Sequence, residues 1–234
     1  MTARFLALAL ALVAVPAADG AAQTGQTAPH LRPGRPSITV GGVVSGGYPI
    51  GEAAADLRQN VPGTTSPPPF TLFRTSTEMN RAPGVEARVA WPLSASVAVE
   101  VGGAFSRPGL TVSIDGDAES PAVTLDDSRL EQYVIDAAVV WQLSRLAIGP
   151  HARPYLSVGG GYLRQLYDDR TRVETGQLFH VGAGVRYWLR GGQGLGRGLG
   201  LRGEVRYHVR REGVEFAGQS RRYPAAALSL FVGL

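Results

Sequence analysis

The chain has 234 residues, 44% hydrophobic and 18% charged, with 31 Gly, 16 Pro and no Cys. That is one domain's worth of core with tails, and it excludes a fibrous or mainly disordered chain. All 23 basic residues are Arg against 19 acidic ones, and the net +4 is spread along the chain, so no nucleic-acid partner is expected. The missing Cys rules out disulfides, zinc–thiolate sites and cysteine nucleophiles.

Residues 1–22 carry Arg4, an apolar run from Phe5 to Val15, a break at Pro16 and small residues ending at Ala22. This pattern reads as a cleaved secretory signal peptide, its apolar stretch being too short to span a bilayer. Residues 23–36, with Pro29, Pro33 and Pro36, read as a flexible arm. From residue 37 to 234 one signal dominates, strict alternation, which places successive side chains on opposite faces of strands.

In chain order, the first strand spans 37–47. Val85, Ala87, Val89 and Trp91 then share a face, as do Val97, Val99, Val101 and Phe105. Tyr133, Ile135, Ala137, Val139 and Trp141 follow, then Leu156, Val158 and Tyr162. Two further sets run from Phe179 to Leu189 and from Leu199 to Val209, and the stretch 223–234 closes the series at eight strands. The connections at 48–83 and 107–130 are long, and those near 92–95, 144–152 and 190–198 are short. One rim with turns and the other with loops is the layout of an up-and-down outer membrane barrel, although a soluble sandwich or lipocalin-like barrel also alternates.

The composition of the two faces distinguishes these solvents. Opposite the aliphatic face stand Gly, Ala and Ser with isolated ionisable residues: Glu86, Arg88, Glu100, Asp136, His180, Arg186, Arg202, Glu204, Arg206 and His208. A water-facing surface would carry far more charge, whereas a narrow lumen suits small residues beside a few paired charges. Aromatic residues in the apolar register fall at two heights, with Trp91, Trp141 and Tyr187 at one end and Phe105, Tyr133, Tyr162 and Tyr207 at the other. The eight steps from Tyr133 to Trp141 rise roughly 20 Å in a tilted strand, close to the spacing of two membrane-interface girdles. The expected fold is an all-β, eight-stranded antiparallel up-and-down transmembrane β-barrel.

The stretches Arg153 to Tyr162, His180 to Trp188 and Leu201 to Tyr207 make the chain resemble the small eight-stranded outer membrane barrels, the OmpA transmembrane domain and OmpX group. The resemblance covers residues 37–234. It implies a monomer in the bacterial outer membrane, inserted by the barrel-assembly machinery through a closing strand whose apolar face here is Leu228, Leu230, Val232 and Leu234. The family usually ends in an aromatic, where this chain has Leu234. No periplasmic peptidoglycan-binding domain is expected after that strand.

The resulting functional expectation is a structural or surface-interaction protein whose lumen charges form a salt-bridged plug, with no cofactor, metal or enzymatic activity. The rivals are a narrow solute or ion channel, a lipid A modifying enzyme, for which Glu204 and His208 share a strand face, and a soluble exported lipocalin-like binder. The turn Asp115 to Glu119 reads as a solvated acidic loop and Gly191 to Gly198 as a flexible turn, since each lacks the rest of its binding motif. Arg210, Arg211, Arg221 and Arg222 flank the last loop as candidates for lipopolysaccharide phosphates, beside membrane lipid itself. Residues 67–73, with Pro67 to Pro69 before Phe70, suggest strands extended beyond the membrane, and so a surface for binding.

Overall fold

The computed structural model describes residues 35–58, 69–116, 121–146, 148–167, 172–190, 198–214 and 220–234. The expected signal segment, most of the arm, and residues 117–119 and 191–197 of the two candidate binding turns lie outside these. Among the described residues there are eleven strands: β1 (Ser37–Ser45), β2 (Tyr48–Arg58), β3 (Pro69–Met79), β4 (Ala82–Pro92), β5 (Val97–Ser106), β6 (Gly109–Asp115), β7 (Val123–Gln142), β8 (Ala152–Tyr167), β9 (Val173–Arg190), β10 (Leu199–Glu212) and β11 (Arg221–Gly233).

Eight of them close into a barrel in the order β1–β4–β5–β7–β8–β9–β10–β11, every neighbour antiparallel. Closure falls on β1, which pairs with β4 on one side and with β11 on the other. No barrel strand is left with an open edge along its closed length, so backbone donors and acceptors are satisfied within the wall.

The long connections are not loops throughout. Residues 48–58, 69–79, 109–115 and 123–129 form a second antiparallel sheet, β2–β3–β6–β7, standing on the loop rim. Its strands continue those of the barrel past three adjacent bends, at Gly46 and Gly47, at Asn80 and Arg81, and at Arg107 and Pro108. The bends are held across the sheet by backbone bonds from Gly46 N to the Pro224 carbonyl (2.7 Å), Asn80 N to Gly109 (2.9 Å) and Leu130 N to Pro108 (2.9 Å). A Cβ on Gly46 or Gly47 would press on the carbonyl of Pro224 or Met79, at 2.9 and 2.7 Å, so bulk is excluded where the chain turns. Pro108 has no N–H to offer a ladder, which suits it to an interruption. Alternation alone did not reveal these strands, because their polar and small residues carry little of it.

Side chains sort by register. Val85, Ile135 and Leu228 face outward with 61%, 64% and 66% of their surface exposed, whereas Glu100 and Arg202 face inward with 0% and 1%. An apolar exterior around a charged interior is the inverse of a soluble barrel. A buried apolar cluster, Tyr48, Ile50, Met79, Leu110, Leu130, Leu178, Val214 and Tyr223, sits at the loop end, where the second sheet meets the barrel mouth.

Gly41 lies on the closing strand, where an added Cβ would come within 2.3 Å of the Leu228 carbonyl and 2.4 Å of Ser229 Cα. Because these are backbone atoms of the partner strand, Gly41→Val is expected to prevent closure. The variant should then migrate alike boiled and unboiled in detergent gels, whereas the native chain should run faster unboiled.

Candidate functional site

The interior charges are organised by β10. Arg202, Glu204 and Arg206 alternate with outward residues, so a strand's period of two puts all three on the inner face. Arg202 donates through Nη1 to both carboxylate oxygens of Glu100 on β5, at 2.9 and 2.8 Å, and through Nη2 to Glu204 at 2.8 Å. Arg206 donates to Glu204 at 2.7 Å and to both oxygens of Glu86 on β4, at 2.7 and 3.1 Å. At one end the chain of pairs is extended by Arg186 on β9, which donates to Glu100. At the other, Arg88 lies 3.4 Å from Glu86 and 3.1 Å from Asp136 on β7, whose Oδ2 is 2.9 Å from His180 Nε2.

Four arginines thus meet four carboxylates, so the series carries equal numbers of guanidinium and carboxylate groups. Neutral partners complete the network: Tyr155 OH accepts from Arg202 Nε (2.6 Å), and Ser157 and Ser229 donate to Glu204 (2.7 Å) and Glu86 (3.2 Å). Every ion-paired side chain in this series is at most 4% exposed. Charges so far from water demand such pairing, since each is costly alone.

The glycines of the inner face supply the room. A Cβ on Gly102 would fall 2.6 Å from Arg88 Cγ, on Gly182 2.5 Å from Ser157 Oγ, and on Gly184 2.4 Å from Tyr155 OH.

Above this layer His208 stacks on Tyr223 (5.1 Å, 6°) and lies 5.5 Å from the His180 ring, and Tyr223 stacks on Tyr48 at 4.8 Å. Neither ring nitrogen of His208 has a hydrogen-bond partner among the described residues. His208 and Glu204 are therefore not paired: Glu204 is engaged by Arg202, Arg206 and Ser157. Arg210, read from sequence as a rim cation for lipid phosphates, is instead fully buried. It donates to Tyr48 OH, to Gln165 (3.2 Å) and to the Val214 carbonyl (2.7 Å). Its even-numbered register with Arg202 to His208 was the available signal. Arg221 likewise turns its guanidinium to the Ile50 carbonyl, while Arg211 and Arg222 remain exposed. At the turn end Trp188 packs edge-on against Phe231 at 5.3 Å.

On the outer wall, Trp91, Trp141 and Tyr187 are exposed near the turn end, and Tyr133, Tyr162 and Tyr207 near the loop end. Phe105 is half-buried against Tyr133, ring centroids 4.9 Å apart. Among the described residues no group of three His, Asp or Glu side chains is arranged to hold a metal ion.

No protein-family model and no curated protein matches the chain. Solved structures do. The outer membrane protein OprG from Pseudomonas aeruginosa is 10% identical, with a TM-score of 0.51 over 86% of this chain and 96% of that one. Neisserial surface protein A is 11% identical (TM-score 0.48, covering 85% and 96%), and Ail, the attachment invasion locus protein of Yersinia pestis, 14% identical (0.38, 86% and 98%). At these identities the likeness is one of fold, and it rests on OprG. The chain has the fold of an eight-stranded antiparallel up-and-down transmembrane β-barrel, the fold it shares with OprG.

Glu100 joins two arginines at the start of the ion-pair series. Glu100→Gln leaves Arg186 without its carboxylate partner and Arg202 with Glu204 alone, and is expected to lower unfolding stability by about 3–5 kcal/mol. Urea titration of the detergent-folded barrel followed by tryptophan fluorescence measures it; a loss under about 1 kcal/mol would mean that water solvates these charges.

Proposed function

We propose that the protein resides in the bacterial outer membrane as a monomer, reached through a cleaved signal peptide and the barrel-assembly machinery, and that it serves as a structural and surface-interaction protein with a plugged lumen. The observation that carries this reading is the balanced series of buried ion pairs linking β4, β5, β7, β9 and β10 across the interior. Side chains locked to one another on several strands obstruct a path for solutes, and they are costly to displace. An apolar exterior between two aromatic tiers supports the membrane location.

An enzymatic role finds little support in the interior, because Glu204 accepts from two guanidinium groups and a hydroxyl and is not paired with His208. The interaction role is supported by the β2–β3–β6–β7 sheet, which projects from the loop rim. Its first strand pairs on one side with β3 and leaves the backbone of residues 52–57 on the other side without a ladder partner among the described residues. Such an edge is a surface on which another extended chain can add.

Planar-bilayer recording of the purified chain is expected to show no unit conductance steps; stable steps would replace the plug with a channel. The chain's lack of Cys makes topology directly measurable. A cysteine introduced as Ala54→Cys in β2 is expected to react with a membrane-impermeant maleimide on intact cells. Ser94→Cys, in the β4–β5 turn, should react only after the outer membrane is permeabilised. The reverse pattern would invert the orientation, and recovery of the chain in the soluble fraction would favour a lipocalin-like binder.

A further inference from the structure

The outward face of β7 and β8 carries three successive cross-strand pairs near the loop rim: Glu131 with Leu166, Tyr133 with Arg164, and Ile135 with Tyr162. Together they line a groove of ≈ 550 Å³. The next outward pair toward the midplane is Ala137 with Gly160, which sets almost no bulk on the wall. Over the six residue steps from 131 to 137, about 20 Å of strand, the surface therefore passes from charged, through aromatic, to a shallow apolar track.

The charges at its head are unequal. Glu131 is engaged by Arg107 at 2.8 Å and by the Tyr133 hydroxyl, which donates to it at 3.2 Å. Just before β9, Arg172 is paired with Glu174 at 2.7 Å. Arg164, exposed on the same wall, has no carboxylate within ion-pair distance among the described residues. A guanidinium at the edge of hydrocarbon calls for an anion at headgroup height, and its planar fork of donors fits a phosphate bidentately. Tyr133 and Tyr162, 41% and 51% exposed, offer ring faces beside that anion.

We propose that this groove binds a phosphorylated glycolipid of the lipid A kind from the outer leaflet. Its phosphate sits on Arg164, its sugar lies against Tyr133, and one acyl chain runs past Ile135 and Tyr162 onto Ala137 and Gly160. The site rests on the outer membrane reading above, with the second sheet on the outer side, since that places the groove in the outer leaflet. It adds Arg164 on the lateral wall to the exposed rim arginines Arg211 and Arg222, Arg210 being buried.

Native mass spectrometry of the full chain, released from detergent after incubation with diphosphoryl lipid A or with phosphatidylglycerol, tests it. The native chain is expected to retain one lipid A and to hold phosphatidylglycerol more weakly. Arg164→Gln should reduce lipid A retention about tenfold, as for loss of a charge-assisted hydrogen bond. Gly160→Val, which fills the foot of the groove and leaves the head intact, should also weaken it. Equal retention by the native chain and Arg164→Gln would overturn the site, and equal retention of phosphatidylglycerol would overturn the assignment to lipid A. Insertion into vesicles, scored separately by protease protection, keeps the two readings apart. A chain that inserts but shows no dependence on Arg164 defeats this inference alone, whereas one that does not insert defeats the membrane reading with it.

Discussion

Arg202, Glu204 and Arg206 stand on one face of β10, and the rest of the interior is arranged around them. Each guanidinium lies between two carboxylates: Arg202 between Glu100 and Glu204, Arg206 between Glu204 and Glu86. Removing so many charges from water is tolerable only if nearly every one finds an opposite charge and further donors or acceptors. That requirement reaches into the neighbouring strands. It explains why β8 contributes Tyr155 and Ser157 to the network, why β11 contributes Ser229, and why glycine occupies the inner positions opposite the longest side chains.

The same constraint orders the barrel along its axis. Ion pairs fill the middle, where the wall is smooth and closed. Toward the loop rim the interior becomes aromatic and then aliphatic, through the stack of His208, Tyr223 and Tyr48 and the cluster around Ile50, Met79 and Leu130. Arg210 joins the two regimes, with its guanidinium over the Tyr48 ring at 4.9 Å and its donors on Gln165 and the Val214 carbonyl. The second sheet contributes Tyr48, Ile50, Met79 and Leu110 to this cap, so it is packed onto the barrel mouth by apolar burial as well as joined to it by continuous strands.

Much of the architecture was legible in the chain because alternation is a local property. A residue two positions from Arg202 shares its face whatever the rest of the molecule does, so the inward set from Glu86 to His208 and the outward aromatics could be read directly. Less legible were features that depend on a neighbour. Tyr48 follows a glycine pair in what reads as a loop, and nothing nearby marks it as the partner of Arg210. Arg210 itself reads as a rim residue because a loop follows closely. The β2, β3 and β6 strands are rich in Ala, Thr and Ser and show little contrast between their faces, so although residues 67–73 suggested an extension of the barrel strands, only the hydrogen-bonded ladders give their bounds and pairing.

By itself, then, the sequence determined the fold class, which side chains of each barrel strand share a face, and the inversion of polarity between wall and interior, since each follows from side-chain period and composition along single strands. Tertiary structure alone decided which charges meet, that Glu204 engages arginines and not His208, that Arg210 points inward, and how the strands of the long connections pair into one sheet. Those outcomes depend on strand order, on the stagger with which β1 closes against β11, and on bends that coincide on adjacent strands. They are relations between residues more than a hundred positions apart in several cases, as for Arg202 with Glu100 and Arg206 with Glu86. No local pattern can encode them.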